Sequence, residues 1–162
     1  AGTHPLHLVS AFATTARLVL AQEAVPDKAN ELAAIPLLLE RLGADGGLAG
    51  ALVSIDAIAT NATVAAAIQA QGADYLLAVK ANQPTLRAEI EAAFAEADPA
   101  TLARSVDVDK GHGRVEERRL AVLRDVDWLS GDRRFPGELR LPGVAAIVRV
   151  ETVAHRADRY RT

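Results

Sequence analysis

Residues 51–57, ALVSIDA, limit the fold more than any other stretch of this 162-residue chain. A glycine-rich segment, GADGG with Gly50, precedes the run, and a carboxylate ends it. Five uncharged, mostly apolar residues predict a strand over Ala51–Asp56 buried on both faces, as in a parallel sheet. A charge is costly inside such a sheet. Asp56 is therefore expected at the strand's carboxyl end, where open α/β sheets place their ligands. From position alone it is either a ligand-binding carboxylate or a cap for the turn at Ala57–Asn61.

The rest of the chain falls into order around this run. Leu6–Ala13 and Leu18–Val25 are β-prone and joined by TTAR, which predicts a hairpin without the favoured Asn-Gly turn. Asn30 and Glu31 open a helical stretch in which Leu32, Ile35, Leu38, Leu39 and Leu42 recur at helical spacing. Pro36 lies inside that pattern, so the regular helix is expected to begin there, with proline in its first turn. Asn61 is a good N-cap for a helix carrying Val64, Ala67 and Ile68, and Gly72 a good residue beyond its end. Tyr75–Val79 predicts a second parallel strand, and Pro84 starts a helix with Leu86, Ile90 and Phe94 on one face. After Pro99 the texture becomes β-rich, with strands expected over Arg104–Asp109, Arg114–Leu123 and Val144–Val153 and no clear helix among them. The expected division is 1–99 for an α/β core and 100–162 for a β-rich appendage.

Composition narrows the chemistry. The chain has no cysteine and no methionine, so disulfides and thiolate metal sites are excluded. Its opening residues lack the character of a signal peptide, and no apolar run approaches a membrane span, so a soluble cytoplasmic protein is expected. Residues 1–100 hold 5 Lys/Arg against 11 Asp/Glu, whereas residues 101–162 hold 13 against 10. The basic excess of the second part hints at an anionic partner, although a mixed-charge solvated surface explains it as well.

Two groups of residues could carry chemistry. Asp56, Lys80, Asn82 and Gln83 follow the ends of neighbouring parallel strands and could share one site. The carboxylate suits a hard cation such as Mg²⁺, and the lysine and amides could hold phosphate. The bland alternatives are a solvated Lys80 and amides that cap the helix after Pro84. The second group is KGHGRVEERR, residues 110–119. His112, Glu116 and Glu117 could be metal ligands or an acid/base pair, and Lys110, His112, Arg114 and Arg118 could lie on a phosphate backbone. In a strand Arg114, Glu116 and Arg118 share one face, Glu117 and Arg119 the other. Alternating signs at this spacing more often make an ion-paired, solvated strand. No P-loop, GxGxxG, GxSxG or HExxH motif occurs.

In succession, LHLVSAFA, LVLAQEAVPDKANELAAIP, GALVSIDAIATN, ADYLLAVKANQPTL, DKGHGRVEERRLAVL, VDWL and IVRVE resemble the insertion-sequence transposases of the ISAs type. These are DDE transposases with an RNase H-like core. The resemblance implies a mixed sheet with flanking helices, whose first antiparallel strand would precede residue 1, followed by a β-rich insertion. It places Asp56 as the second aspartate of the catalytic triad. The family's first aspartate, in an IDGK-like motif, and its glutamate, in a WxIEN-like motif, have no counterpart here; Glu116 is a weaker candidate for the acid. The resemblance further implies two-metal phosphoryl transfer with Mg²⁺ or Mn²⁺, double-stranded DNA as partner (transposon ends and target), and a homo-oligomer in the full-length protein. One carboxylate cannot hold two metals, so the chain alone is expected to be inactive. The competing expectations are a receiver-like domain with Asp56 as phosphoacceptor and Lys80 as its partner, and a non-catalytic DNA-binding or assembly fragment.

Overall fold

The computed structural model describes residues 7–27, 30–111, 114–136 and 138–156. The first strands form as expected: β1 (His7–Ala13) and β2 (Leu18–Val25) pair antiparallel, with a register shift between Ala11 and Phe12. The four-residue turn is closed by Arg17 at a φ of 55°, the left-handed conformation that an Asn or Gly would have supplied more cheaply. The next helix, α1, runs over Glu31–Gly43 and passes through Pro36 instead of starting at it. The proline removes the bond that its N–H would have made to the Leu32 carbonyl. Burial of Ala34, Ile35, Leu38 and Leu39 on one side holds the helix across that gap.

The central run forms β3 (Leu52–Ile55), followed by a 3₁₀ turn (Ala57–Ala59), α2 (Ala62–Ala70) and β4 (Asp74–Leu77). β3 and β4 are parallel, Leu52 opposite Asp74 and Ile55 opposite Leu77. The Asn61 side chain accepts a 2.9 Å hydrogen bond from the Val64 N–H, the expected N-cap. Gly72 stands beyond the helix end at a φ of +70°. α2 is the most deeply buried element: Ala65 and Ile68 are fully enclosed and Val64 nearly so. Burial of Ile68 contributes about 1.5–3 kcal/mol.

The expected double burial of β3 does not occur. Val53 and Ile55 face the helices, but Leu52 is 66 % exposed, and Leu76 on β4 is 52 % exposed. Among the described residues nothing covers that second face, so a run that is apolar at nearly every position alternates in burial. Nor do the hairpin and the parallel pair join into one mixed sheet. Among the described residues β1–β2, β3–β4 and the later strands are three separate hydrogen-bonded sheets. The first two are linked through side chains instead: Val9 of β1 packs into the same cluster as Val53 and Ile55.

α3 (Pro84–Glu96) starts at its proline, as expected, and buries Leu86 and Phe94. Then come β5 (Ala103–Gly111), β6 (Arg114–Leu123), a one-turn α4 (Asp127–Ser130) that the sequence did not suggest, and β7 (Ile147–Arg156). The three strands form an antiparallel ribbon, β5-β6-β7. Its base packs on α3, where Ala121, Leu123 and Ile147 cluster with Leu86, Phe94, Val126 and Leu129. Farther out it stands free, with β5 exposed on both faces.

The segment between α4 and β7 reads from sequence as a plain loop, yet it contains a buried charge cluster. Glu138 is 3 % exposed and Arg140 7 %. Arg140 Nη2 donates to Glu138 Oε1 at 2.6 Å, and Arg134 donates to the same carboxylate from its Nε (2.6 Å) and its backbone N–H (2.5 Å). Arg134 also reaches Glu89 on α3. Next to this knot, Tyr75 Oη donates to the Pro142 carbonyl at 2.9 Å, tying β4 to the same loop. Desolvation pushes the Glu138 carboxyl up, but the Arg134 amide and guanidinium and the Arg140 charge outweigh it and leave the pKa below the ordinary 4.5.

Two stability outcomes are expected. Asn61→Ala removes only the cap and costs about 1 kcal/mol, a fall in Tm of about 2–4 °C. Glu138→Ala strands the buried Arg140 guanidinium, leaves Arg134 with Glu89 alone, and lowers Tm by roughly 5–10 °C. Because the folded pKa of Glu138 is depressed, its contribution is fully present above the ordinary value of 4.5. It is lost as pH falls from there through the folded pKa. Thermal melts of both variants and an acid series on the parent check this; a Glu138→Ala melt equal to the parent's would refute the knot.

Candidate active site

Asp56 immediately follows β3, and Lys80 lies three residues beyond β4, so parallel pairing brings both to one end of the sheet. Lys80 Nζ donates to Asp56 Oδ1 at 2.6 Å. The Lys80 hydrogen bond, helped by the Ala57 amide, holds the Asp56 carboxyl below its ordinary value of 3.8. Asp56 occupies the N-cap position of the 3₁₀ turn, and beyond the Ala57 amide its side chain caps none of the turn's N–H groups. Its carboxylate is turned to solvent, 68 % exposed, with Lys80 at 61 %. The carboxylate thus touches the turn through the Ala57 amide but is held chiefly by Lys80, which is both solvated and an ion-pair partner.

The loop that carries Lys80 is laced to the turn that follows Asp56. Thr60 Oγ1 donates to the Ala78 carbonyl at 2.6 Å. Asn82 Nδ2 donates to the Ala57 carbonyl at 3.2 Å, and Gln83 Nε2 to the Thr60 carbonyl at 2.5 Å. Asn82 and Gln83 thus spend an amide N–H each on neighbouring backbone, and Gln83, at the N-cap position of α3, makes no side-chain cap. Their observed role is to fix the two loops together, which sets Lys80 against Asp56. Thr60, buried at 2 % exposure, belongs to this lacing. A lone threonine after AIA carries no sequence signal for it.

The second group is placed elsewhere. Glu116 lies on β6, 21 % exposed, with Arg118 donating to it at 2.7 Å. Glu117 is paired with Arg119 at 2.6 Å. Strand geometry puts Glu116 and Arg118 on one face of the ribbon and Glu117 and Arg119 on the other, as expected. Lys110 is opposite Val115, which puts it on the Glu117 and Arg119 side, away from Arg118. Arg114 lies in register with Gly111 and Arg156. His112 lies outside the described residues. Asp56 and Glu116 stand in different sheets.

Among the described residues no three carboxylate or imidazole groups gather to hold a metal ion. One exposed carboxylate paired with a lysine offers a single hard-cation ligand, so the donor set described does not by itself fit a pair of cations. Among the described residues no helix is long and apolar enough to cross a membrane.

The family model described as Transposase DDE domain matches residues 1–131. The chain belongs to this family. With that, the receiver-like alternative for the Asp56–Lys80 pair falls. A protein from the dhlA 3′ region of Xanthobacter autotrophicus is 38 % identical over 133 residues, 82 % of this chain and 44 % of that protein. The H repeat-associated transposase candidate YbfD of Escherichia coli K12 is 38 % identical over 124 residues, 75 % of this chain and 47 % of its own length. The transposase candidate YncI of Escherichia coli O157:H7 is 36 % identical over 127 residues, 75 % of this chain and 30 % of YncI. The chain therefore spans less than half the length of these relatives. No solved structure matches it.

The geometry makes one electrostatic outcome specific. Lys80→Met removes the main cause of the lowered Asp56 pKa, so the carboxyl's midpoint rises, with the Ala57 amide still holding it down. Carboxyl-carbon NMR across an acid titration reads this directly. Both groups are exposed, so the melting temperature of Lys80→Met is expected to stay close to the parent's. An Asp56 midpoint that does not rise would refute the pairing.

Proposed function

We propose that this chain is part of a DNA transposase that cuts and joins strands by metal-assisted phosphoryl transfer, with Asp56 as one carboxylate of the catalytic site. The observation that carries the proposal is the position of Asp56. It is an exposed carboxylate delivered by the end of a parallel strand, in a chain of the DDE family. Among the described residues no group of three metal-ligating side chains gathers, and we place its partner carboxylates elsewhere in the whole protein. They belong to the length of the relatives that the chain does not span. Glu116, ion-paired on the ribbon, is not proposed as one of them. The metal is Mg²⁺ or Mn²⁺, and the partner is double-stranded DNA, as transposon ends and as target. Lys80 holds Asp56 in place and offers its charge to a phosphate. Working on chromosomal or plasmid DNA, the protein acts in the cytoplasm, as an oligomer that brings two ends together.

The proposed fold of the catalytic part, residues 1–99, is RNase H-like. Support comes from element order, hairpin, helix, parallel strand, helix, parallel strand, and from the unfinished sheet. Each of β1 and β3 has one hydrogen-bonded neighbour among the described strands. Their side chains nevertheless share a core with α1 and α2. A further strand of the whole protein, laid between them, would complete one mixed sheet. Residues 100–162 form the insertion, whose base is anchored on α3.

In the whole protein, Asp56→Asn is expected to lower strand cleavage by more than about 100-fold, beyond the cost of an outer-shell change. DNA binding is expected to persist. The 162-residue chain alone, offered Mg²⁺ or Mn²⁺, is expected to leave plasmid DNA intact. Metal-dependent nicking by the chain that Asp56→Asn abolishes would mean that it holds a complete site. Cleavage by the whole protein that is indifferent to Asp56→Asn would sink the assignment.

A further inference from the structure

The ribbon has two chemically different faces, fixed by register. On one, Arg104 of β5, Ala121 of β6 and Arg149 of β7 lie side by side in one cross-strand row. The next row outward holds Val106, Arg119 and Glu151. Directly opposed residues of antiparallel strands point to the same side. Three guanidiniums therefore stand over two adjacent rows, around a recess of about 240 Å³ whose lining includes Arg104, Val106, Arg119, Ala121, Arg149 and Glu151. The alanine between Arg104 and Arg149 leaves the floor open, where a larger side chain would fill it.

The recess is oriented by the core. Arg149 lies over the Phe94 ring of α3, its guanidinium carbon 4.9 Å from the centroid, and Ala121 packs in the cluster that contains Phe94. Two carboxylates work against an anion here: Glu117 accepts from Arg119, and Glu151 from Arg149 at 3.1 Å. Arg104 has no carboxylate partner among the described residues, nor does Lys110, farther out on the same face. Of the described side chains, this face carries four cations and two carboxylates. The opposite face carries Asp107, Asp109 and Glu116 against Arg118, beside an apolar stretch of Leu120, Val148 and Val150. By register Arg114 and Arg156 belong to this second face as well, at its outer end opposite Gly111, so its acidic stretch is the middle of the ribbon around Asp107, Asp109 and Glu116.

We infer that the recess among Arg104, Arg119 and Arg149 is a phosphate-binding site for the DNA backbone, and that the ribbon meets DNA with this face and not with the face of Asp107 and Asp109. The inference rests on the DNA partner proposed above and adds where that partner lies. Guanidiniums match phosphate oxygens with paired N–H donors, and their weak hydration favours exchange of a carboxylate for a phosphodiester. Arg104, with no carboxylate partner among the described residues, supplies the donor group that needs no exchange. Base edges play no part, so binding through this site is independent of sequence.

The test is fluorescence anisotropy of the whole chain with a labelled duplex of about 20 base pairs over a salt series. Arg104→Ala is expected to weaken binding several-fold and make the salt slope shallower by about 1, one phosphate contact. Arg104→Ala combined with Arg119→Ala and Arg149→Ala is expected to flatten it by about 3. Asp107→Asn with Asp109→Asn is expected to leave affinity within about twofold. Loss of the Arg149–Phe94 contact could disturb the fold, so melts accompany each variant; Arg104, with no partner, keeps the test decisive. If the parent binds and Arg104→Ala and the triple variant bind equally well, the recess is not the site, although the DNA partner stands. If the Asp107 and Asp109 changes shift the slope as much as Arg104→Ala does, the one-sided contact is refuted. A parent chain with no salt-dependent binding overturns the recess, whereas the DNA partner of the whole protein stands or falls with the strand-cleavage test above.

Discussion

Tyr75 and Leu77, the inward-facing residues of β4, pack against both apolar clusters of the molecule. On one side are α1, α2 and the turn after β3. On the other are α3, the base of the ribbon and the loop closed by Glu138. A strand of four residues thus joins the two halves through two side chains and the Tyr75 hydroxyl bond to Pro142, helped by α2, whose Val64 and Ile68 lie in the first cluster and Ala65 in the second. Burial pushes that hydroxyl's pKa up to about 12, which keeps it a neutral donor under any ordinary condition. The placement of Asp56, Lys80 and the ribbon's arginines all follows from how β4 is held.

Local chemistry was the legible part of this fold. The hairpin, the Asn61 cap, Gly72 beyond the helix end and the proline start of α3 each depend on a few neighbouring residues, and each is found as the residues suggest. Pro36 misled because its cost is local whereas the gain that outweighs it, burial of Ile35, Leu38 and Leu39, is tertiary. Ala51–Asp56 misled in another way. Its composition describes a strand covered on both sides, and among the described residues only one side is covered. Leu52 and Leu76 are apolar residues left on the uncovered side, so composition alone overstated the burial of this strand.

The candidate site was half legible. That Asp56 and Lys80 would meet followed from two strand ends and a parallel connection. That Asn82 and Gln83 would spend amide groups on the Ala57 and Thr60 carbonyls did not, because amides after a strand give no sign of which backbone they will satisfy. The charge cluster of Glu138, Arg134 and Arg140 was illegible for the opposite reason. Charged residues among Gly and Pro look like solvent-facing loop, and nothing local shows that Glu138 and Arg140 are buried as deeply as Leu129, Leu141 and Val126 of the neighbouring core.

The ribbon also has a length. Arg104 and Lys110 are six residues apart on one strand, which at about 3.3 Å per residue is about 20 Å. Duplex DNA rises about 3.4 Å per base pair on each strand, so that interval corresponds to about six base pairs, more than half a helical turn. If the ribbon meets DNA as proposed, two charges set at this spacing along one strand would act as a ruler. A backbone lying along β5 would be gripped at two points whose separation the protein sets, and the curvature of the duplex between them would have to comply.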